Sequence, residues 1–371
     1  MPDRTSPPFR ADHVGSLLRP PELLHARDQH ARGEISRRQL RAAEDAAIRE
    51  AVRRQQEIGL KAVTDGEFRR TWFHLDFLQE FAGVTVVQSP MKARFHTASG
   101  EIEMQPSALQ IVGRISRPQP IFVDDFKYLQ SIASAVPKLT LPSPSLMHFR
   151  GGRRAIDPAI YPDMAEFYAD LARGYAEEIR DLAASGCRYI QLDEVNLAYL
   201  CDPALAAHVR NIGEDPASLP QTYAGLINAA IASRPSDMVV CMHLCRGNFQ
   251  SGWVAEGGYD PVAELLFNGI DVDGYFLEYD SPRSGGFAPL RFVPKGKIVV
   301  VGLVTSKSGA LESKDELKRR IDEASRYLPM DQLALSPQCG FSSTVEGNLL
   351  GIEEQYAKLR LVAEVAREVW G

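Results

Sequence analysis

The stretch Cys241-Met242-His243-Leu244-Cys245 carries side chains that could hold a soft divalent metal. It follows the apolar run Met238-Val239-Val240 and precedes Arg246-Gly247-Asn248, a turn signal. The pattern predicts a buried strand that stops at a loop. Residues two apart on a strand share a face, so Cys241, His243 and Cys245 project together. His243 and Cys245 lie nearest the strand's C-terminal end. An imidazole and a thiolate on one rigid strand make half of a zinc site. Glu278, after Tyr275-Phe276-Leu277, and Cys339, after Ser336-Pro337-Gln338, each close another apolar run and could complete it. A cysteine on an apolar strand is ordinarily a small core residue, and H-x-C alone is a weak signal. The strand-terminal Glu and Cys in similar settings strengthen it.

Two thiolates and a carboxylate would leave much negative charge on a zinc ion. That weakens it as an activator of water and suits it to a substrate thiol, whose pKa it lowers. Alkyl transfer to a thiol is the chemistry these ligand types suggest. Glu278, the most weakly held ligand, could leave when the thiol arrives and keep zinc four-coordinate.

Such a site needs a scaffold that brings distant strand ends together. The 371-residue chain can bury a large core, and its apolar fraction of 44% and charged fraction of 24% are ordinary for a globular protein. The formal net charge is -6 with no broad basic block, which argues against nucleic acid as a partner. No apolar run reaches the roughly 20 residues that span a bilayer, so a membrane is not expected either. The polar opening Met1-Pro2-Asp3-Arg4 lacks a signal-peptide core, and a cytoplasmic location is the default expectation. Five cysteines, an odd number, suit reduced thiols or ligands better than a disulfide framework.

Along the chain, helical patterns are predicted near 21–31 and 36–59, the second opening on an N-cap Ser36 and stopping before Gly59. Eight short apolar runs follow: 61–65, 109–113, 139–149, 189–193, 238–245, 274–278, 298–302 and 332–336. Helical patterns near 163–185, 217–233, 258–268, 312–327 and 343–369 separate or follow them. Alternating strands and helices imply parallel βαβ units, and about eight of them fit a (β/α)₈ TIM barrel. The α/β barrel is expected as a single domain over 1–371, with an N-terminal helical extension and an inserted β-hairpin near 84–108, around Ser99-Gly100. No G-x-G-x-x-G follows an early strand, which weakens a dinucleotide-binding reading.

In such a barrel the active site sits at the C-terminal strand ends. Those ends carry Asp65 and Glu67, Arg114, Asp193 and Glu194, His243 and Cys245, Glu278, Lys307 and Cys339. Single members have plainer readings: Asp193 could cap the next segment, Arg114 could be a solvated rim charge, and Asp65 could pair with Arg69 or Arg70. An early Val14-Gly15-Ser16 turn could present backbone N–H groups to a ligand. Together with His-x-Cys at 243–245, Leu277-Glu278-Tyr279-Asp280 and Ser336-Pro337-Gln338-Cys339-Gly340, these motifs resemble the C-terminal catalytic barrel of cobalamin-independent methionine synthase over nearly the whole chain. The resemblance implies zinc held by His243, Cys245, Glu278 and Cys339. It implies homocysteine bound by backbone at Val14, Gly15 and Ser16 and by Glu67 and Asp193 at its amino group. Arg114 falls where that family binds folate, and Phe149 where it stacks a tryptophan on folate. Lys307 stands where the family has its proton-donor histidine, and Asn196 to Tyr199 lack the family's acidic folate contact. The expected partners are a small thiol and a methyl or alkyl donor; self-association into a homo-oligomer is left open. An epoxyalkane:coenzyme M transferase-like reaction and a non-catalytic structural zinc site are the alternatives. Two carboxylates facing the thiol's substituent disfavour a sulfonate, and ligands on three separate strands disfavour a structural site.

Overall fold

The computed structural model describes residues 4–89, 92–97 and 100–371. Ser99 of the expected hairpin turn lies outside the described residues. Twelve strands are named in chain order: β1 (Ala62–Val63), β2 (Ala82–Gln88), β3 (Ala93–Thr97), β4 (Gly100–Met104), β5 (Ser107–Ser116), β6 (Val136–Pro137), β7 (Leu139–Pro142), β8 (Tyr189–Glu194), β9 (Val239–Leu244), β10 (Gly274–Glu278), β11 (Ile298–Val304) and β12 (Leu333–Pro337). β7 to β12 form a continuous parallel sheet in sequential order. β1 pairs in parallel with β6, and the Lys138 amide donates to the Val63 carbonyl at 2.8 Å. At the other edge Ala11 forms a parallel bridge with Leu335 of β12. The first segment also meets β1, through the Leu17 amide on the Gly66 carbonyl at 3.0 Å and the Thr64 hydroxyl on the Gly15 carbonyl at 2.6 Å.

The strands are near-continuous apolar runs because both faces are covered. Val299 and Val301 pack outward with Ile190, Leu192 and Met242. Val300 packs inward with Tyr189, Cys241 and Phe276. Each fully buried aliphatic side chain contributes roughly 1.5–3 kcal/mol of transfer free energy. Cys241 belongs to this inner layer, so the plain core reading holds for it. Helices cover the outer face. Arg37–Ile58 starts on a capping box at Ser36 and ends on Gly59 in the left-handed region, as expected. Among the described residues no helix is long and apolar enough to cross a membrane.

Three expectations change. The run 109–113 lies in β5, which pairs antiparallel with β2 rather than joining the parallel sheet. The excursion is larger than one hairpin, because β3 and β4 form a second antiparallel pair within it. Backbone next to β12 comes instead from the segment around Ala11, whose mixed polar sequence gives no strand signal. The helix expected from 343 begins at Ile352. Residues 343–345 run extended beside 71–73, with the Phe73 amide on the Ser343 carbonyl at 3.0 Å and the Val345 amide on the Thr71 carbonyl at 2.8 Å.

Candidate metal centre and active site

Parallel register sets the site. Asp193 of β8 is level with His243 of β9, which is level with Phe276 of β10. His243, Cys245 and Glu278 therefore emerge at the same end of the sheet, and Cys339 follows β12 by two residues. Gly302 on β11 gives Cys339 its approach: a Cβ there would lie 2.6 Å from the Gln338 Cα. One ligand atom from each of His243, Cys245, Glu278 and Cys339 lies within 4.8 Å of the others, and all four side chains are buried.

The protonation pattern fits a metal. His243 Nδ1 is 3.1 Å from the Phe276 carbonyl, so this nitrogen carries the proton and donates. Nε2 is buried with no hydrogen-bond partner by distance and angle, and against burial the charge of Cys339 raises the ring to about 8, so without a metal it holds a proton that a metal would displace. The Cys245 and Cys339 sulfurs are 3.4 Å apart, close to the roughly 3.8 Å edge of a tetrahedron with ~2.3 Å metal–sulfur bonds. All five cysteines are free. A hydrogen bond from Cys245 pulls the Cys339 thiol down to about 5 against the cost of burial, with His243 adding to the effect. The same bond, then burial, pushes Cys245 well up. The two sulfurs thus share one proton that a metal would displace.

Glu278 is held as an anion. Burial would raise its pKa, but Arg283, Lys307 and Arg246 outweigh that and lower it. Its Oε1 accepts from the Arg246 amide at 3.2 Å and the Gln338 side chain at 3.4 Å, and Oε2 accepts from Arg283 at 3.3 Å. Arg283 also pairs with Asp280 at 3.0 Å. Arg283 and Gln338 were not anticipated. The acidic run around 278–280 was the only sequence signal that a cation must lie close.

Beside the cluster lies a cavity of about 60 Å³. Val14, Ser16, Glu67 and Asp193 line it together with His243, Cys245 and Cys339. Gly15 sits at φ +139°, where a Cβ would meet Thr140 at 2.6 Å, so glycine lets this turn lie against the sheet. The Val14 carbonyl accepts from Gln191 at 2.7 Å. Glu67 adopts φ 60° and accepts from the Thr140 hydroxyl at 2.8 Å through Oε1. Its Oε2 is buried without a partner. Burial, and then the negative charge of Glu67, push Asp193 up to about 7. Burial likewise raises Glu67 despite Arg70. Two buried carboxylates on one wall, the charge of Glu67 raising Asp193, have the chemistry to hold a cation. Glu194, not Asp193, caps the next segment: its Oε1 accepts the Asn196 and Leu197 amides at 2.6 and 3.0 Å. Asp65 accepts the Glu67 amide at 2.9 Å, while Arg69 reaches Asp45 and Asp125 instead.

Three expected residues do not line the cavity. Arg114 is 57% exposed on β5 and pairs with Glu166 at 2.6 Å; it does not line the cavity, because β5 belongs to the inserted hairpins. Phe149 packs behind the lining, edge-on to Tyr199 at 6.1 Å. The Lys307 ammonium donates to Asn248 Oδ1 and the Gly252 carbonyl, both at 3.0 Å, and is not on the cavity wall. Sequence reading missed Trp72, Phe73, His74, Phe95 and Phe249, which form the outer wall. Phe95 arrives from the insertion, pinned by His96 and Trp253 exchanging backbone bonds at 2.7 and 2.9 Å.

Residues 9–368 match the family described as the cobalamin-independent synthase catalytic domain. The chain belongs to this family. It is 46% identical over 365 residues to the Bacillus subtilis protein YxjH, itself uncharacterized, covering 98% of this chain and 95% of that one. It is 25% identical to a 5-methyltetrahydropteroyltriglutamate–homocysteine methyltransferase of Thermotoga maritima, covering 98% of this chain but only 45% of the relative. The chain thus spans about half the length of that methyltransferase. Among solved structures, a Listeria monocytogenes protein provisionally assigned as a vitamin-B12 independent methionine synthase superposes with a TM-score of 0.77 at 37% identity, covering 99% of this chain and 100% of that one. A Shewanella B12-independent methionine synthase shares the fold at 20% identity and TM-score 0.70, covering 97% of each chain.

Proposed function

We propose that this chain is a zinc-dependent S-methyltransferase that moves a methyl group to a small thiol such as homocysteine, on a sheet closed as a (β/α)₈ barrel by the segment around Ala11. The observation that carries the reading is the buried, unpartnered Nε2 of His243 facing two sulfurs and a carboxylate, with Glu67 and Asp193 across the cavity. Zinc, when bound by His243, Cys245, Glu278 and Cys339, supplies a Lewis acid that lowers a substrate thiol's pKa into the neutral range. The remaining work belongs to the protein. Glu67 and Asp193 bind the thiol substrate's ammonium, which relieves their mutual repulsion. The Val14–Ser16 turn flanks the same end of the substrate. This fixes the sulfur over the metal centre and saves part of the entropy of bringing two reactants together. Arg283 and Arg246 keep Glu278 ionised and oriented. Lys307, the candidate proton donor to the leaving group, must release Asn248 and Gly252 to act.

The test is metal analysis followed by cobalt substitution. About one zinc per chain is expected. The cobalt form should gain a sulfur-to-cobalt charge-transfer band when homocysteine is added, and Glu67→Gln should weaken that titration by at least tenfold, about 1.4 kcal/mol. A metal-replete protein whose spectrum ignores thiols would overturn the reading.

A further inference from the structure

The cavity has a second charged pole that the thiol's sulfur and ammonium do not use. Arg150 lines it with no carboxylate in ion-pair reach among the described residues; the one side-chain bond shown runs from its guanidinium to the Ser107 carbonyl at 3.4 Å. Its neighbours in the basic run face elsewhere: Arg153 donates to the Tyr161 carbonyl at 2.6 Å, and Arg154 to the Asn211 carbonyl at 3.3 Å. His74 lines the same cavity, is 2% exposed, and leaves both ring nitrogens without a hydrogen-bond partner. Leaving two such nitrogens dry would cost on the order of 1–3 kcal/mol each. The ring is fixed by Phe73 at 4.6 Å and Trp72 at 6.0 Å. Burial and then the positive charge of Arg150 hold His74 well below its ordinary pKa. It is therefore a neutral donor close to a fixed cation.

This pole is separate from the carboxylate wall. The charges acting most strongly on Glu67 are Arg70, Asp65 and Arg19, and those on Asp193 are Glu67, His243 and Arg70; Arg150 is in neither set. Tyr199, by contrast, feels both Arg150 and the sulfurs of Cys245 and Cys339, and lines the same cavity as all three. Trp72 and Phe249, stacked with centroids 6.4 Å apart and planes at 17°, make an apolar flank beside His74.

We infer that Arg150 and His74 form an oxyanion-binding subsite for the methyl donor, so that the second substrate carries a carboxylate, sulfonate or phosphate while the thiol's ammonium sits on Glu67 and Asp193. The inference rests on the thiol-transfer reading for which substrate is which. A guanidinium with an uncharged imidazole donor offers a fork and a single N–H to such a group. The flanking rings seat the apolar remainder of the donor.

The experiment is calorimetric titration of potassium phosphate, and separately of potassium acetate, into zinc-loaded protein saturated with homocysteine. Saturable binding of at least one anion at one site per chain is expected. It should weaken at least tenfold in Arg150→Met, recover in part in Arg150→Lys, and weaken several-fold in His74→Phe, with the homocysteine affinity of each variant unchanged. Circular dichroism of each variant checks that it is folded, and Arg150→Lys keeps the charge if Arg150→Met is not. No saturable binding of either anion, equal binding in Arg150→Met, or displacement of the anion by homocysteine would each overturn the assignment. The cobalt charge-transfer band read on the same samples reports thiol binding on its own, so a failed donor subsite is distinguishable from a failed thiol reading.

Discussion

Buried charges occupy both ends of the sheet, and the two ends treat them differently. At the N-terminal end Lys138 is fully buried and donates to Asp12 Oδ1 at 3.2 Å and to the His13 carbonyl at 2.5 Å. Asp12 Oδ2 accepts from the Tyr189 hydroxyl at 2.9 Å and the Phe9 amide at 3.2 Å. Every oxygen of that carboxylate has a protein partner, so the pair is complete in itself. At the C-terminal end Glu67 Oε2, His243 Nε2 and both nitrogens of His74 are buried and lack one. Desolvating such atoms is tolerated where a ligand completes them. The Asp12–Lys138 pair closes on itself, whereas Glu67, His243 and His74 bring their open atoms to one cavity, where a ligand can complete them.

The comparison is broken most severely at the open end by Cys339→Ser. Metal per chain is expected to fall more than ~10-fold at limiting metal, and activity with it, while the circular dichroism spectrum stays native. Lys138→Met should do the reverse. It strands Asp12 as an unpaired buried charge and costs about 3–5 kcal/mol in urea unfolding, yet leaves the metal content of the folded fraction unchanged. If Lys138→Met lowers metal content at full stability, the two ends are coupled and the contrast fails. Arg283→Met removes a bond that orients Glu278 and should weaken metal binding by ~10–100-fold in competition with a chelator, with little change in stability. The smallest expected effect is on pH dependence. In metal-free protein Asp193 titrates near 7 against an ordinary value near 3.8, so the folded state holds a proton that the unfolded chain has released. Stability from this group is present below about pH 4 and is lost as pH rises through about 7. Thermal melts across that range should slope downward, and Asp193→Asn should flatten them.

Much of the open end was legible in the sequence because strand ends announce themselves. An apolar run followed by His-x-Cys, Glu or Cys fixes both which residue lies at the rim and which face it takes, which is how the four metal-binding candidates could be placed together. The same logic failed for 109–113. An apolar alternating run also suits a half-buried antiparallel hairpin, and nothing local tells the two apart. Arg114 went with it. The backbone beside β12 escaped notice because Arg10 to Ser16 gains its extended form from neighbouring strands rather than from its own propensity. Thr71 to Phe73 carry no local strand signal yet line up with 343–345, an alignment set by residues some 270 positions away. Arg283 was visible as a residue but not as a partner of Glu278, since the turn at Ser281-Pro282 decides where it points.

The Val14–Ser16 turn meets the far end of the chain at the cavity floor, where the Phe341 amide donates to the Ser16 carbonyl at 3.0 Å. Residues 14–16 and 339–344 thus close one side of a cavity whose other walls come from residues 67–74, 95, 150, 193–199 and 243–249. Contacts of such long sequence separation are slow to close. Bringing Cys339 to the other three metal-binding candidates therefore requires this pairing of residues 14–16 with residues 339–341 to be in place.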